Sequence, residues 1–375
     1  MDQFKAGYWV TQDQYKSFQP SLINRAWRIT SMETIKLLSK ADRMLGRLDM
    51  YSEHIPDINL FIGMHITKEA TQSSKIEGTQ TNMEEALMPE EVVPLDKRNE
   101  WEEVQNYITA MNEAVSSLEK LPFSSRLIRN THKTLLAGVR GRDKQPGEFR
   151  RSQNWIGGST IKDAVFVPPV HTSIHELMAD IEKFAHSEEN NLPDLLKIAL
   201  IHYQFETVHP FLDGNGRVGR LMITLYLVSK GILKRPILYL SDYLERNRNS
   251  YYSKLTAVRQ NNDLESWFNF FLSGVIETSE KGVRTFEQIL QLKENQLARI
   301  GSLKSRAGNA KKVLDFLYKK PIIDVKTVSE ITEVTVTTAN SLVQDLVQLG
   351  IIKEATGAKR GRLYIMYDYI RLFEQ

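Results

Sequence analysis

Apolar positions recur along most of this chain at three- and four-residue spacing, the period of a helix with one buried face. Strict two-residue alternation is rare, so the pattern predicts a mainly α protein. A helix is expected over residues 58–77, with Gly78 as its stop. A helical block follows over 100–136, and helix resumes near His171 and over 194–207. The next helix starts after Gly216 and runs to about Lys230, placing Val218, Leu221, Met222, Leu225 and Val228 on one stripe before Gly231 closes it. Further helices are expected from Leu244 to about Leu292.

Two stretches break this texture. Residues 146–158 and 164–169 are β-prone runs around a polar turn, the pattern of a hairpin. Residues 1–90 read as an extended start and then helices, and residues 277–305 as a charged helical connection. The last stretch reads as helices over 310–318, 325–331 and 337–349, stopped by Gly350, and then strands 351–354 and 362–365 around a turn at 356–361. That order and size resemble a winged helix-turn-helix. The expected division is 1–95, 96–276, a helical linker over 277–306, and 307–375.

A chain of 375 residues is long enough for two or three domains. It has no cysteine, which excludes disulfides, thiolate catalysis and cysteine-ligated zinc and suits a reducing cytoplasm. No run of about 18 apolar residues predicts a membrane span. The first residues, Met1 to Lys5, lack the apolar core of a secretory signal. The net charge of +3 is too small to imply a nucleic-acid partner for the whole chain. From residue 303 onward, however, 12 Lys and Arg stand against 8 Asp and Glu, so any such partner belongs to the C-terminus.

The segment that carries chemistry is His209-Pro210-Phe211-Leu212-Asp213-Gly214-Asn215-Gly216-Arg217-Val218-Gly219-Arg220. One helix ends just before it and another starts at its end. Glycines let backbone N–H groups converge, and a helix N-terminus adds partial positive charge, so the loop predicts an anion cradle. Arg217 and Arg220 leave the new helix on nearby sides and suit forked phosphate contacts. Asp213 offers a carboxylate for Mg²⁺. His209, with an ordinary pKa of about 6.5, suits general-base work. His171 and His175 have the spacing of a metal pair and His202 sits seven before His209, yet no third ligand is evident, so these are read as structural.

This segment resembles the signature of the Fic family at every position. The resemblance covers at least residues 100–275 and implies a helical bundle holding the loop, with a β-hairpin flap beside it. It implies ATP as substrate with Mg²⁺ or Mn²⁺, and transfer of AMP to a Ser, Thr or Tyr hydroxyl of a target protein. His209 would be the base and Asp213 the metal ligand. Gly214 to Gly216, with the Asn215 side chain, would cradle phosphates, and Arg217 and Arg220 would hold the outer ones. Ile156 and Gly157 of the flap would lie against the nucleotide and align the target. Tyr251 and Tyr252 resemble a tyrosine pair near the base. Where relatives carry a base-reading Asn, this chain has Arg259-Gln260. Upstream, Ser73-Ser74-Lys75-Ile76-Glu77-Gly78 resembles the family's inhibitory motif, in which Glu77 would reach Arg220 and fill the space of the γ-phosphate.

The same residues serve removal of AMP from a target, with Glu77 positioning water, and the sequence does not separate addition from removal. A DNA-binding regulator built on a Fic core is a third reading, supported by the basic tail, although winged domains also contact proteins. Self-modification and a homodimer are further partners this reading admits.

Overall fold

The computed structural model describes residues 4–54, 59–138, 142–357 and 361–374. Among these are fifteen α-helices and five short β-strands, so the mainly α expectation holds. The chain starts with an antiparallel hairpin, β1 (Gly7–Thr11) and β2 (Lys16–Pro20), registered from Gly7 opposite Pro20 to Thr11 opposite Lys16. Then come α1 (Met32–His54), α2 (Asn59–Ile76), α3 (Met83–Leu87), α4 (Arg98–Ser117) and α5 (Ser125–Leu135). The expected block over 100–136 is therefore two helices. Pro122 interrupts it, and Ser124 caps α5 by accepting from the Leu127 N–H at 3.4 Å.

The middle of the chain supplies α6 (Ile174–His186), α7 (Asp194–Val208), α8 (Asn215–Ser229), α9 (Ser241–Arg246) and α10 (Arg248–Asn261). Every residue of α7 from Leu195 to Val208 is buried, with α1, α6 and α8 packed against it. Its C-terminal end and the start of α8 are thereby held rigidly. The flap expected over 146–169 reduces to one antiparallel bridge, Ile156 opposite Phe166.

The expected linker is different. α11 is one helix of 38 residues, Leu264–Gly301, and the boundary expected at 276/277 falls inside it. Ile276, Ser279, Val283, Phe286 and Ile289 continue a buried stripe across that point, and α1 packs along it. The last unit contains α12 (Ala307–Lys319), β3 (Ile322–Asp324), α13 (Val325–Thr332), α14 (Val336–Gln348), β4 (Lys353–Glu354), β5 (Leu363–Ile365) and α15 (Tyr367–Glu374). Its strands form an antiparallel sheet in the order β3-β5-β4. Strand β3 and helix α15 were not foreseen, and Ile351 and Ile352 are buried just before β4. The expected start of the second helix at residue 58, and residues 358–360 of the turn between β4 and β5, lie outside the described residues.

The last unit sits on α2. The ring of Phe61 lies 5.6 Å from Tyr318 and 6.4 Å from Tyr369, and His65 lies 4.9 Å from Phe373, centroid to centroid. Tyr318, Tyr369 and Phe373 are all buried there.

Candidate active site

Helix α7 stops where Pro210 cannot continue it. His209 takes the left-handed backbone conformation (φ 50°), and its N–H still donates to Phe205 O at 2.8 Å. The loop that follows is shaped from within. Both polar atoms of the Asn215 side chain bond to Phe211, Oδ1 accepting from its N–H at 2.8 Å and Nδ2 donating to its carbonyl at 2.9 Å. Asn215 thus holds the turn through its side chain. Phe211 is buried, stacked on His132 with ring centroids 3.7 Å apart.

Three residues without an assigned role in the sequence analysis, Arg150, Asn154 and His132, hold this loop from outside. Arg150 is buried and donates from Nε to His209 O at 3.0 Å and from Nη2 to Pro169 O at 2.6 Å. Its own N–H reaches Pro210 O at 2.8 Å. Asn154 adds bonds from Nδ2 to His209 O at 3.3 Å and Phe211 O at 2.8 Å. The flap stem is therefore tied to the backbone of His209. His132 accepts the Gly147 N–H on Nδ1 at 2.8 Å, which leaves Nε2 to donate to Asp213 O at 3.0 Å. Burial holds His132 near pKa 4, in keeping with that neutral tautomer. The only signal for these roles is the run Pro146-Gly147-Glu148-Phe149-Arg150 followed by Asn154, polar residues amid a β-prone texture.

The charged centre lies at the N-terminus of α8. Arg220, its side chain 1% exposed, donates from Nε to Ser73 Oγ at 2.9 Å and from Nη2 to Ser73 O at 2.9 Å. Nη2 also reaches Glu77 Oε1 at 2.7 Å. Glu77 follows the end of α2, and Gly78 beyond it has φ 103°, a conformation that favours glycine. The carboxylate lies so close to Gly216 that a Cβ there would come within 2.2 Å of Oε1. Burial pushes the Glu77 carboxyl up, but Arg220, with Arg217 and His209, outweighs this and holds it below its ordinary value. An anionic oxygen therefore occupies the first turn of α8, where helix dipole and arginine favour one.

Arg217 is also buried, with Nη1 3.4 Å from Glu103 and Nη2 3.9 Å from Asp213. The side chain of Asp213 is 45% exposed, with Oδ1 accepting from the Gly214 N–H at 2.6 Å. Burial, reinforced by the charge of Arg150, lowers His209 to a pKa of about 4, while Glu77 pulls the other way. Nδ1 of His209 has no partner among the described residues. Burial raises Glu206, one turn earlier on α7, to about 7. Its carboxylate lies against Gly219, where a Cβ would meet Oε1 at 2.3 Å.

The softer site residues fall around this centre. Tyr251 is buried, its OH 2.8 Å from Nε2 of His202, so that histidine is a structural partner. Tyr252 stands half exposed beside Tyr251, ring centroids 5.0 Å apart, and both tyrosines are near enough to Arg220 to act on its charge. In the flap, Val165 covers Gly157, and Ile156 is joined to Phe166. Among the described residues no group of three or more His, Asp or Glu could hold a metal by itself.

Comparison with known proteins agrees with this geometry. Residues 35–116 match the Fic/DOC family N-terminal region and residues 122–227 match the Fic/DOC family itself. Over 117 residues the chain is 35% identical to the protein adenylyltransferase Fic of Drosophila grimshawi, covering 31% of this chain and 22% of that protein. Over 146 residues it is 31% identical to the Drosophila yakuba protein of the same name, covering 39% and 26%. The chain thus matches only about a quarter of the length of these relatives. A crystal structure of a Fic family protein from Desulfovibrio desulfuricans G20 superposes with a TM-score of 0.59 at 18% identity, covering 92% of this chain and 98% of that one. A Fic domain containing signaling protein from Bacteroides thetaiotaomicron superposes at 0.54 and 17% identity, covering 68% and 97%. Both family regions in register, and a fold shared from end to end, place this chain in the Fic/DOC family.

Proposed function

We propose that this protein transfers AMP from ATP to a hydroxyl of a target protein, and that its own Glu77 restrains the reaction. One observation carries this reading. A carboxylate oxygen of Glu77 lies on Arg220 and against Gly216, at the helix N-terminus that suits a phosphate. In the proposed reaction His209 takes the proton of a Ser, Thr or Tyr hydroxyl. The oxygen forms a bond to the α-phosphorus, the bond from that phosphorus to the bridging oxygen breaks, and pyrophosphate leaves. The first-turn amides of α8 and the guanidinium groups of Arg217 and Arg220 stabilise phosphate charge, which is most of what such chemistry asks of a protein. The names of the curated relatives support ATP as the AMP donor.

A divalent ion fits this donor set. Mg²⁺ usually keeps several waters and phosphate oxygens and takes one or two carboxylates, and Asp213 offers one that is half exposed. Asp213 would hold such an ion, which would supply charge neutralisation to the phosphates. The same reading takes residues 307–375 as a winged helix-turn-helix whose helices α12 and α15 pack on α2. No helix among the described residues is long and apolar enough to cross a membrane.

The test pairs binding with chemistry. His209→Ala should bind ATP with unchanged affinity yet release no pyrophosphate and label no protein from α-labelled ATP. Labelling at the unaltered rate would remove His209 from the base role.

A further inference from the structure

Arg259 stands where the family resemblance calls for a base-reading residue, yet its side chain is engaged elsewhere. Its Nε donates to Thr207 Oγ1 at 3.1 Å, two residues before His209. Its guanidinium carbon lies 4.0 Å from the ring centroid of Phe166. Gln260, the next residue, is exposed.

Phe166 is the residue through which the flap is paired. Ile156 N–H donates to Phe166 O at 2.8 Å, and the Phe166 and Val165 N–H groups both reach Ile156 O, at 3.1 and 2.9 Å. One bridge of this kind does not fix a hairpin, since even a full two-stranded hairpin is marginal in water. Tertiary contacts must do so. The first comes from Arg259. The others come from the N-terminal hairpin, where Trp9 and Phe18 each lie 6.0 Å from the Phe166 ring and Phe18 N–H donates to Val167 O at 2.9 Å. The other flap strand is anchored through Asn154 to His209 and Phe211. Each flap strand is thus fastened to one side of the catalytic segment, and Arg259 is the fastener on the α10 side.

We propose that Arg259 is a positioning residue that sets the flap over His209 through Phe166, and so governs how a target hydroxyl is presented, rather than a reader of the nucleotide base. This rests on the proposed AMP transfer for its consequence, but its geometry can be tested without it. A planar guanidinium both stacks and hydrogen-bonds here, which an ammonium does not reproduce.

The experiment compares Arg259→Lys, Phe166→Leu and Phe166→Tyr with the parent protein by amide hydrogen exchange, ATP titration and, in the Glu77→Gly background, self-labelling. Arg259→Lys and Phe166→Leu should both speed exchange at the Ile156, Val165 and Phe166 amides by roughly tenfold, the factor carried by a desolvated cation–π contact. Exchange in α7 and α8 should not change. ATP affinity should hold within about twofold while self-labelling falls. Phe166→Tyr keeps the ring and should behave as the parent. Combining Arg259→Lys with Phe166→Leu should add nothing beyond Phe166→Leu alone. A loss of ATP affinity with flap exchange unchanged would make Arg259 a base reader and overturn the proposal, as would unchanged flap exchange by itself. Failure of Glu77→Gly to bind ATP would strike the proposed function and leave the exchange result standing.

Discussion

Replacing Glu77 by glycine removes the carboxylate from Arg220 and clears the first turn of α8. The lost contact is one charge-assisted hydrogen bond of 2.7 Å. Such bonds contribute about 1.5–3 kcal/mol net. The lower end applies because the Glu77 side chain is 39% exposed. A difference of ~1.4 kcal/mol is tenfold in population, so self-labelling from ATP should rise at least about tenfold. Glu77→Asp keeps the charge but shortens the reach, and should relieve inhibition only in part. Arg220→Ala breaks the same pair yet removes the proposed phosphate ligand, so activity should stay low, and the double variant should resemble Arg220→Ala. The assay is label incorporation for these proteins beside melting temperature and ATP affinity. A Glu77→Gly protein that is folded, binds ATP and labels no faster than the parent would refute the reasoning, because a merely structural Glu77 can only lose activity when replaced.

Three further outcomes follow from the site. Asp213→Ala should abolish the dependence on Mg²⁺ or Mn²⁺ together with the activity, and full activity in chelator would deny Asp213 that role. The pH profile of kcat/KM in Glu77→Gly should have its acid limb well below 6.5, because burial and Arg150 hold His209 near 4 and the one carboxylate raising it has gone. The sign for stability agrees: a histidine whose folded pKa is depressed contributes fully above its unfolded value of about 6.5, and that contribution is lost as pH falls toward the folded value. An acid limb at 6.5 would contradict this placement of His209. Deleting residues from Ala307 onward strips Tyr318, Tyr369 and Phe373 from Phe61 and His65 on α2, the helix that presents Glu77. The truncated protein should fold and bind ATP, melt lower and label itself faster, whereas an unfolded product would show one cooperative core.

What could be read from sequence was local. The loop from His209 to Arg220 depends on residues within twelve positions of one another, so glycine, asparagine and the turn between two helices announce it. The pairing of Glu77 with Arg220 spans 143 positions and was legible only because a motif marks both ends. Arg150 and His132 lacked such a mark. Their polar atoms serve backbone carbonyls and amides, which no side-chain pattern advertises. The place of Phe166 depends on Trp9 and Phe18 of the N-terminal hairpin and on Arg259 of α10, two distant stretches. Helix α11 was divided in the sequence reading because its later half is charged. In the fold its buried stripe continues, since α1 runs alongside and covers it. Strand β3 has only three residues and offered too short a run to show a period.

The central claim is that AMP, and not the terminal phosphate, moves to protein. Glu77→Gly protein should be incubated with Mg²⁺ and ATP carrying label at either the α- or the γ-phosphate. The account predicts that α-label becomes bound to protein in a His209-dependent way while γ-label leaves entirely as pyrophosphate. Protein-bound γ-label, or α-label that fails to transfer although ATP binds, would contradict it.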